Sequence, residues 1–152
     1  MTRYYLDTEF NEHGGKLISL ALVTDRHVPL YIINDEPMNP TPWVSANVLV
    51  SRVLRSGPVQ PVVLQSANQF GEVIRNYIGN ENHPVIIADS PVDIWRFCQV
   101  LSTNDDGEWA SADYPMMTFE VHNVDCYPTD LEGAIQHNAL WDAMALRHKL
   151  TP

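Results

Sequence analysis

The order of the secondary-structure signals in this chain predicts an α/β fold, in which helices flank a mixed β-sheet. Three strand-like segments come first and are joined by short turns, a pattern typical of an antiparallel meander. Helix-like segments then alternate with a short all-apolar segment at residues 84–88, which indicates a strand covered on both faces. Because the chain has 152 residues, 45% of them hydrophobic, and no internal repeat, we expect a single domain over residues 1–152.

The first half of the chain predicts three strands and two helices. Residues 3–10, 16–24 and 28–33 are rich in strand-forming side chains and are separated by short turns. A helix is predicted over residues 43–54, because a capping threonine and a proline come directly before it. Two prolines then indicate a linker. A second helix is predicted over residues 66–78, where apolar side chains recur at helical spacing and a glycine follows.

The second half of the chain alternates strands with helices. The apolar strand at residues 84–88 is followed by a predicted helix over residues 94–101. Residues 116–126 are apolar and fit either a strand or a helix, with a strand favoured by the alternation. The last helix is predicted from near His137 to Leu150.

The charge of the chain restricts the nucleic acids that it can bind. The formal net charge is −10, and the nine lysines and arginines are scattered along the sequence. Proteins that hold a long duplex normally present a basic face, so strong nonspecific binding to long nucleic acid is not expected. One or two terminal nucleotides can still be held, because bound metal ions supply local positive charge.

The apolar segments and the cysteines indicate a compartment. The longest apolar runs are too short to span a bilayer, and the N-terminal residues do not resemble a signal peptide. Cys98 and Cys126 are the only cysteines and do not form a C-x-x-C pair, so two reduced thiols are expected rather than a disulfide. We therefore expect a soluble, cytoplasmic protein without membrane contacts.

Two acids, Asp7 and Glu9, end the first predicted strand. In a strand, residues i and i+2 project from the same face, so the two carboxylates are expected to lie side by side. Two neighbouring anions raise each other's pKa unless a cation lies between them. A hard divalent cation such as Mg²⁺ prefers carboxylate oxygens, so the pair predicts a metal site. The alternative is a solvated strand end.

The acid-x-acid pattern has little weight by itself. With 19 acids in the chain, such triplets arise by chance roughly twice. The chain has three, at residues 7–9, 106–108 and 130–132. Only the first closes an apolar strand, whereas the other two lie in polar, turn-like sequence. A metal site at the first triplet therefore requires partner ligands from elsewhere in the chain.

Further acids and one histidine supply candidate partners. Asp93 lies at the start of a predicted helix after the fourth strand, where it can act as a helix-capping acid or as a ligand directed towards Asp7 and Glu9. His137 and Asp142 are roughly 140° apart on an ideal helix. They can reach one point if His137 lies at or just before the helix start. Histidine is the preferred general base near neutral pH.

These motifs, taken in order, resemble those of the DEDDh 3′–5′ exonuclease superfamily, which includes ribonuclease T, oligoribonuclease and the proofreading subunit of the bacterial replicative polymerase. The first motif is Asp7-Thr8-Glu9, and the third is His137-Asn138-Ala139-Leu140-Trp141-Asp142-Ala143. The Asp-Thr-Glu-Phe opening looks most like small bacterial and phage-type exoribonucleases. The resemblance implies a ribonuclease H-like fold with a mixed five-stranded sheet flanked by helices.

The second motif departs from the family pattern at residues 88–93, where a small polar residue or asparagine usually precedes the aspartate. Asp93 is the better match, because the following residues continue as the helix of the family does. Asp89 is the alternative ligand.

The resemblance also implies the roles of the site residues. The metal ligands are Asp7, Glu9, Asp93 and Asp142, and their four charges balance two Mg²⁺ or Mn²⁺ ions. His137 is implied to remove a proton from the attacking water, releasing a nucleoside 5′-monophosphate. The terminal base and ribose are implied to contact Phe10 and the backbone at Thr8, with stacking on Phe10 independent of sequence. The alternative for Phe10 is an ordinary core aromatic.

The expected function is a metal-dependent 3′–5′ exoribonuclease that acts on single-stranded RNA ends or 3′ overhangs. A DNA exonuclease with the same site is an alternative, because no motif reports contacts to a 2′-hydroxyl. A non-catalytic acidic binding module on the same fold and an acidic interaction protein that binds no metal are two further possibilities. The expected partners are the 3′ ends of single-stranded nucleic acid, RNA before DNA, and the family suggests a homodimer.

Overall fold

The computed structural model describes residues 1–53, 59–109, 116–125 and 130–151. Within these residues, one mixed sheet is formed by six strands: β1 Arg3–Phe10, β2 Leu17–Val23, β3 Leu30–Asn34, β4 Val62–Leu64, β5 Val85–Ala88 and β6 Thr118–Val121. The strand order across the sheet is β4-β3-β2-β1-β5-β6. The predicted α/β class with a mixed sheet is confirmed.

The helices cover both faces of this sheet. They are α1 Pro42–Val44, α2 Val50–Val53, α3 Phe70–Ile78, α4 Pro91–Leu101 and α5 Ala139–Leu150. A π-helical turn joins α1 to α2, and a 3₁₀ turn precedes α3. α3 and α4 pack on one face, which we call the α4 side, and α5 packs on the other face, the α5 side.

Strand β1 occupies the centre of the sheet. It pairs antiparallel with β2, which pairs antiparallel with β3, so the predicted meander is confirmed. On its other side β1 pairs in parallel with β5, where Tyr5 is the partner of Ile87. Tyr4 and Leu6 belong to the buried cluster on the α4 side, and Tyr5 to the cluster on the α5 side. By the same alternation, Asp7 and Glu9 lie on the α5 side and Thr8 on the α4 side.

The prediction of five strands is wrong, because the part of the chain that the structure describes contains six. The additional strand is β4, which lies in the segment interpreted as a linker and pairs in parallel with β3 at the edge of the sheet. It has only three residues, two of them exposed, and Pro61 directly precedes it. An edge strand tolerates proline at its start, so this proline did not exclude a strand.

The structure settles one segment that the sequence left ambiguous and refines one predicted helix. The segment compatible with strand or helix contains β6, which pairs in parallel with β5 at the other edge of the sheet. Its apolar side chain Phe119 is 42% exposed, as an edge position allows. The predicted helix over residues 43–54 is helical from Pro42 to Val53, but with a π-helical turn in its middle; Leu54 lies outside the described residues.

Two further observations concern the cysteines and the lengths of the helices. Cys98 is a free thiol, and Cys126 lies outside the described residues. Across residues 1–53, 59–109, 116–125 and 130–151, the helices are too short or too polar to cross a bilayer.

Candidate metal centre

The end of β1 and the first turn of α5 bring three carboxylates together. Asp7, Glu9 and Asp142 each offer an oxygen atom, and these oxygens lie within 4.8 Å of one another. α5 packs directly across β1 and β2, so a side chain one turn into the helix lies above the end of β1. The predicted proximity of the first and third motifs is therefore present in the structure.

The start of α4 adds a second group around the same central residue. Ser90 caps α4 by accepting a hydrogen bond from the Val92 N–H at 3.2 Å, and Pro91 occupies the first helical position. The helix therefore begins three residues before the predicted start at Ile94, and Asp93 lies in its first turn. Because β5 lies beside β1, this turn reaches the end of β1. Oxygens of Asp7, Asp89 and Asp93 lie within 4.8 Å of one another.

Asp89 and Asp93, the two candidate ligands of the second motif, thus both lie near Asp7, but they differ in burial and in hydrogen bonding. Asp93 is buried, with only 4% of its surface exposed, and its Oδ1 accepts hydrogen bonds from the Thr8 N–H at 3.1 Å and the Thr8 hydroxyl at 2.5 Å. Asp89 is partly exposed at the end of β5. Asp93 is consequently the carboxylate whose orientation is fixed by β1.

Thr8 has a role that sequence reasoning missed. The backbone around Thr8 is expected to contact substrate, and in the structure the Thr8 N–H and side-chain hydroxyl both donate to Asp93. The position of Thr8 between two strand acids gave no signal for this contact, because its partner is 85 residues away in the sequence. A contact between the Thr8 backbone and substrate stays a prediction.

Asn138 sets the start of α5 and hence the position of Asp142. Its Oδ1 accepts hydrogen bonds from the N–H groups of Leu140 and Trp141 at 3.1 and 3.4 Å. Its Nδ2 donates to the Ser51 carbonyl at 3.2 Å, which ties the helix start to α2. The signal for this cap was present in the sequence, since asparagine before an apolar helix is a common N-cap.

His137 lies immediately before this cap, as predicted. Its φ angle of 54° is in the left-handed region, which is uncommon for a residue other than glycine. The Ser51 hydroxyl donates to its carbonyl, and its ring meets the ring of Trp43 edge to face, with centroids 5.0 Å apart. Neither group of closely spaced ligand atoms in the described residues includes His137. Its role as general base stays a prediction.

The carboxylates of this site hold their protons to unusually high pH. Burial, followed by the charges of Asp93, Asp142, Glu9 and Asp89, raises the pKa of Asp7 well above its ordinary value. Burial and the neighbouring Asp142 raise the pKa of Glu9 to about 8. Burial is also the main cause that raises the pKa of Asp93 and of Asp142 to about 7 each. Without a cation, the protein therefore retains protons here near neutral pH.

These carboxylates fit a divalent metal ion. The ion pairs of the described residues include none of Asp7, Glu9, Asp93 and Asp142, so no lysine or arginine neutralises them there. Carboxylate oxygens are the ligands preferred by Mg²⁺ and Mn²⁺. The other two acid triplets differ: Asp106 and Glu108 are exposed, and Asp130 is exposed and lies 3.9 Å from the Lys149 ammonium group.

Phe10 is the last residue of β1 and directly follows Glu9. It is partly buried and is not a member of the three buried hydrophobic clusters found among the described residues, which disfavours an ordinary core role. The guanidinium carbon of Arg96 lies 4.9 Å from the centroid of its ring. Stacking of a base on Phe10 stays a prediction.

Comparison with known proteins did not assign the chain to a family, because no family model and no curated protein matches it.

Proposed function

We propose that this protein is a metal-dependent 3′–5′ exoribonuclease with a ribonuclease H-like fold. The observation that carries the proposal is the pair of carboxylate groups that share Asp7, one with Glu9 and Asp142 and the other with Asp89 and Asp93. A shared ligand is expected where two cations act on one phosphate. The sheet order supports the fold assignment, because the strand that carries the first motif is central and lies between an antiparallel and a parallel neighbour.

The proposed ligands of the two ions follow from these groups. Glu9, Asp142 and Asp7 would hold one ion, and Asp7 and Asp93 would hold the other, with Asp89 beside them. When bound, Mg²⁺ or Mn²⁺ polarises a phosphoryl oxygen and lowers the pKa of a coordinated water molecule. Thr8 keeps Asp93 oriented for this role through its two hydrogen bonds.

His137 is proposed to accept a proton from the attacking water. Imidazole is suited to this task, because it can accept a proton near neutral pH. The segment that carries it is held on one side by the Ser51 hydroxyl and on the other by the N-cap of α5. The imidazole ring contacts the exposed Trp43 ring edge to face, which restricts its orientation.

The proposed substrate is the 3′ end of a single strand. A net charge of −10 disfavours a long duplex, whereas a terminal phosphodiester requires only local positive charge from bound ions. A partly exposed Phe10 at the edge of the site can stack on a base of any identity. The proposed 3′–5′ direction of hydrolysis and the proposed preference for RNA rest on the resemblance of the first and third motifs to those of DEDDh exonucleases.

The proposal is tested with RNA and DNA oligonucleotides of one sequence, each labelled at the 5′ end and incubated with Mg²⁺ or with EDTA. We expect stepwise shortening of the RNA from its 3′ end, release of nucleoside 5′-monophosphates, and slower attack on DNA. An oligonucleotide with a blocked 3′ end should persist. Faster attack on DNA would establish the alternative substrate, and binding without cleavage in Mg²⁺ or Mn²⁺ would establish a binding module instead.

A further inference from the structure

A second concave region lies on the α4 side of the sheet. It is a cavity of about 320 Å³ between the turn before β2, the loop after β3, the 3₁₀ turn before α3, and α4. Its charged lining residues are Lys16, Glu36 and Arg96, and we call it the Lys16–Arg96 cavity. The carboxylates of the metal centre do not line it. Its volume is at the lower end of the range for small-molecule sites, which suits a ligand of nucleotide size or smaller.

Arg96 is the unusual member of this lining. Only 4% of its surface is exposed, and among the described residues neither Nε nor Nη2 has a hydrogen-bond partner. Its third nitrogen, Nη1, lies 3.5 Å from Gln99 Oε1, which is at the outer limit of a hydrogen bond. The guanidinium group lies against two aromatic rings, 4.9 Å from the centroid of Phe10 and 4.5 Å from that of Trp95.

A buried guanidinium without an anion is unfavourable. Burial lowers the pKa of Arg96, but an arginine side chain stays charged in proteins. Aromatic faces attract the cation, yet they do not replace acceptors for N–H groups that point along the guanidinium plane. No ion pair of the described residues includes Arg96. The described residues therefore supply no anion for this guanidinium group, and an anionic ligand would compensate its charge.

The other polar groups of the cavity favour a phosphate group over a carboxylate. The Lys16 ammonium group pairs with the carboxylate of Glu36, so Lys16 and Arg96 together leave the lining with an excess of positive charge. Gln99 uses its oxygen towards Arg96, which leaves its amide nitrogen as a donor at the cavity wall. The planar fork of arginine can bind two oxygens of a phosphate group, and the Gln99 amide nitrogen can donate to a third.

We propose that the Lys16–Arg96 cavity is a phosphate-binding site distinct from the metal centre. Its ligand is the phosphate group of a free nucleotide or of a nucleic-acid strand. Gln99 is exposed, and rotation of its side chain would free the Arg96 Nη1 to donate to the ligand. Arg96 lies three residues after Asp93, on the same side of α4. A strand whose end occupies the metal centre could therefore place a further phosphate here, but the cavity does not depend on hydrolysis.

The test measures the thermal unfolding of the full chain in EDTA, so that the metal centre is not involved. The added probes are inorganic phosphate, a nucleoside 5′-monophosphate and a short single-stranded RNA. At about 100 times the Kd, a ligand of the folded state should raise the Tm by roughly 5–10 °C. Arg96→Met should abolish this rise and should not lower the Tm without phosphate, because it removes an uncompensated buried charge.

Two further variants control the experiment. Arg75→Met removes a partly buried arginine on α3 that donates to the Leu101 carbonyl and does not line the cavity, so its response to phosphate should equal that of the wild type. This control also separates binding from the general stabilisation that phosphate gives as a salt. Lys16→Gln should reduce the rise in Tm that phosphate causes. If Arg96→Met does not fold, the comparison of Lys16→Gln with the wild type tests the site instead.

The three probes also separate the two sources of phosphate. A rise with RNA at concentrations at which the mononucleotide has no effect assigns the site to a strand, and equal responses assign it to a free nucleotide. The proposal is overturned if the wild type responds to none of the probes, or if the variants at Arg96 and Lys16 respond as the wild type does. Because no hydrolysis is measured, failure here leaves the exonuclease proposal intact, and the reverse also holds.

Discussion

The two sides of the sheet at the end of β1 carry opposite charge. On the α5 side, Asp7, Glu9 and Asp142 lie within 4.8 Å of one another without a basic partner among the ion pairs of the described residues. On the α4 side, Arg96 is buried without an anionic partner in those residues, beside a cavity that it shares with Lys16. Among the described residues, the carboxylates on the α5 side therefore lack a cation, and Arg96 on the α4 side lacks an anion.

This separation follows from the geometry of a strand. Successive side chains of β1 point to opposite faces, so Asp7 and Glu9 belong to one face, while Thr8 contacts α4 from the other. Asp93 connects the two sides, because it accepts both hydrogen bonds of Thr8 and still lies beside Asp7. A cation on one side and a phosphate on the other would each relieve a local charge, without the two sites competing for the same residues.

The largest loss of activity is expected from a substitution of Asp7, the residue that both carboxylate groups share. Asp7→Asn should reduce hydrolysis at least about a thousandfold, because Asp7 belongs to both carboxylate groups and several kcal/mol of transition-state stabilisation would be lost. The measurement is the rate of shortening of a labelled RNA. Asp106→Asn is the matched control, since this exposed acid belongs to a triplet outside the site, and its rate should equal that of the wild type. Near-normal turnover by Asp7→Asn would exclude the metal centre as the catalytic site.

A smaller loss is expected at His137. His137→Ala should reduce the rate by roughly 10²- to 10⁴-fold, the contribution of a positioned general base, while metal binding persists. Calorimetry with Mn²⁺ measures the binding, and the labelled-RNA assay measures the rate. Lys149→Ala, near the end of the following helix α5, serves as a control, because its partner Asp130 is exposed and outside the site. Loss of metal binding with a retained rate would contradict the role of His137 as base.

The two second-motif acids are expected to differ. Asp93→Ala should be inactive, because Asp93 is buried and fixed by Thr8. Asp89→Ala should lose only about tenfold to a hundredfold, the effect of a residue that supports a ligand. Single-turnover rates of the two variants at saturating Mg²⁺ make the comparison. The reverse order of activities would assign the second ligand to Asp89.

The smallest expected effect is a pH dependence of stability. In the metal-free protein the pKa of Glu9 is about 8, and those of Asp93 and Asp142 are about 7, all above the values of the unfolded chain. Between about pH 5 and pH 8 the folded state therefore binds more protons, and stability must fall as pH rises. The Tm in EDTA should decline over this window, and less steeply for Asp7→Asn. A Tm that rises with pH in EDTA would contradict the raised pKa values.

Much of the arrangement of the carboxylates was predictable from the local sequence rules for strands and helix caps. The alternation of a strand placed Asp7 and Glu9 on one face, and the position of β5 beside β1 brought Asp93 towards them. An apolar helix preceded by asparagine placed Asp142 one turn in. These features depend on neighbours in the sequence or on the pairing of two strands.

Other features depend on contacts that no local pattern reports. β4 is too short to show the alternation of apolar and polar residues that is typical of a strand. It forms by pairing with β3. Arginine is rarely buried, so nothing in the helix sequence indicated that the buried Arg96 would lie against two aromatic rings. The approach of Asp89 to Asp7 depends on the turn between β5 and α4, and the hydrogen bonds of Thr8 join residues far apart in the chain.

The central claim is that the shared carboxylate groups bind divalent metal ions. Calorimetric titration of the metal-free protein with Mn²⁺ at neutral pH tests it most directly, with Asp7→Asn and Asp106→Asn titrated alongside. We predict two bound ions for the wild type and for Asp106→Asn, with release of protons because carboxyl groups of raised pKa must ionise. We predict loss of at least one ion in Asp7→Asn. Absence of binding to the wild type, or equal binding to all three proteins, would contradict the account.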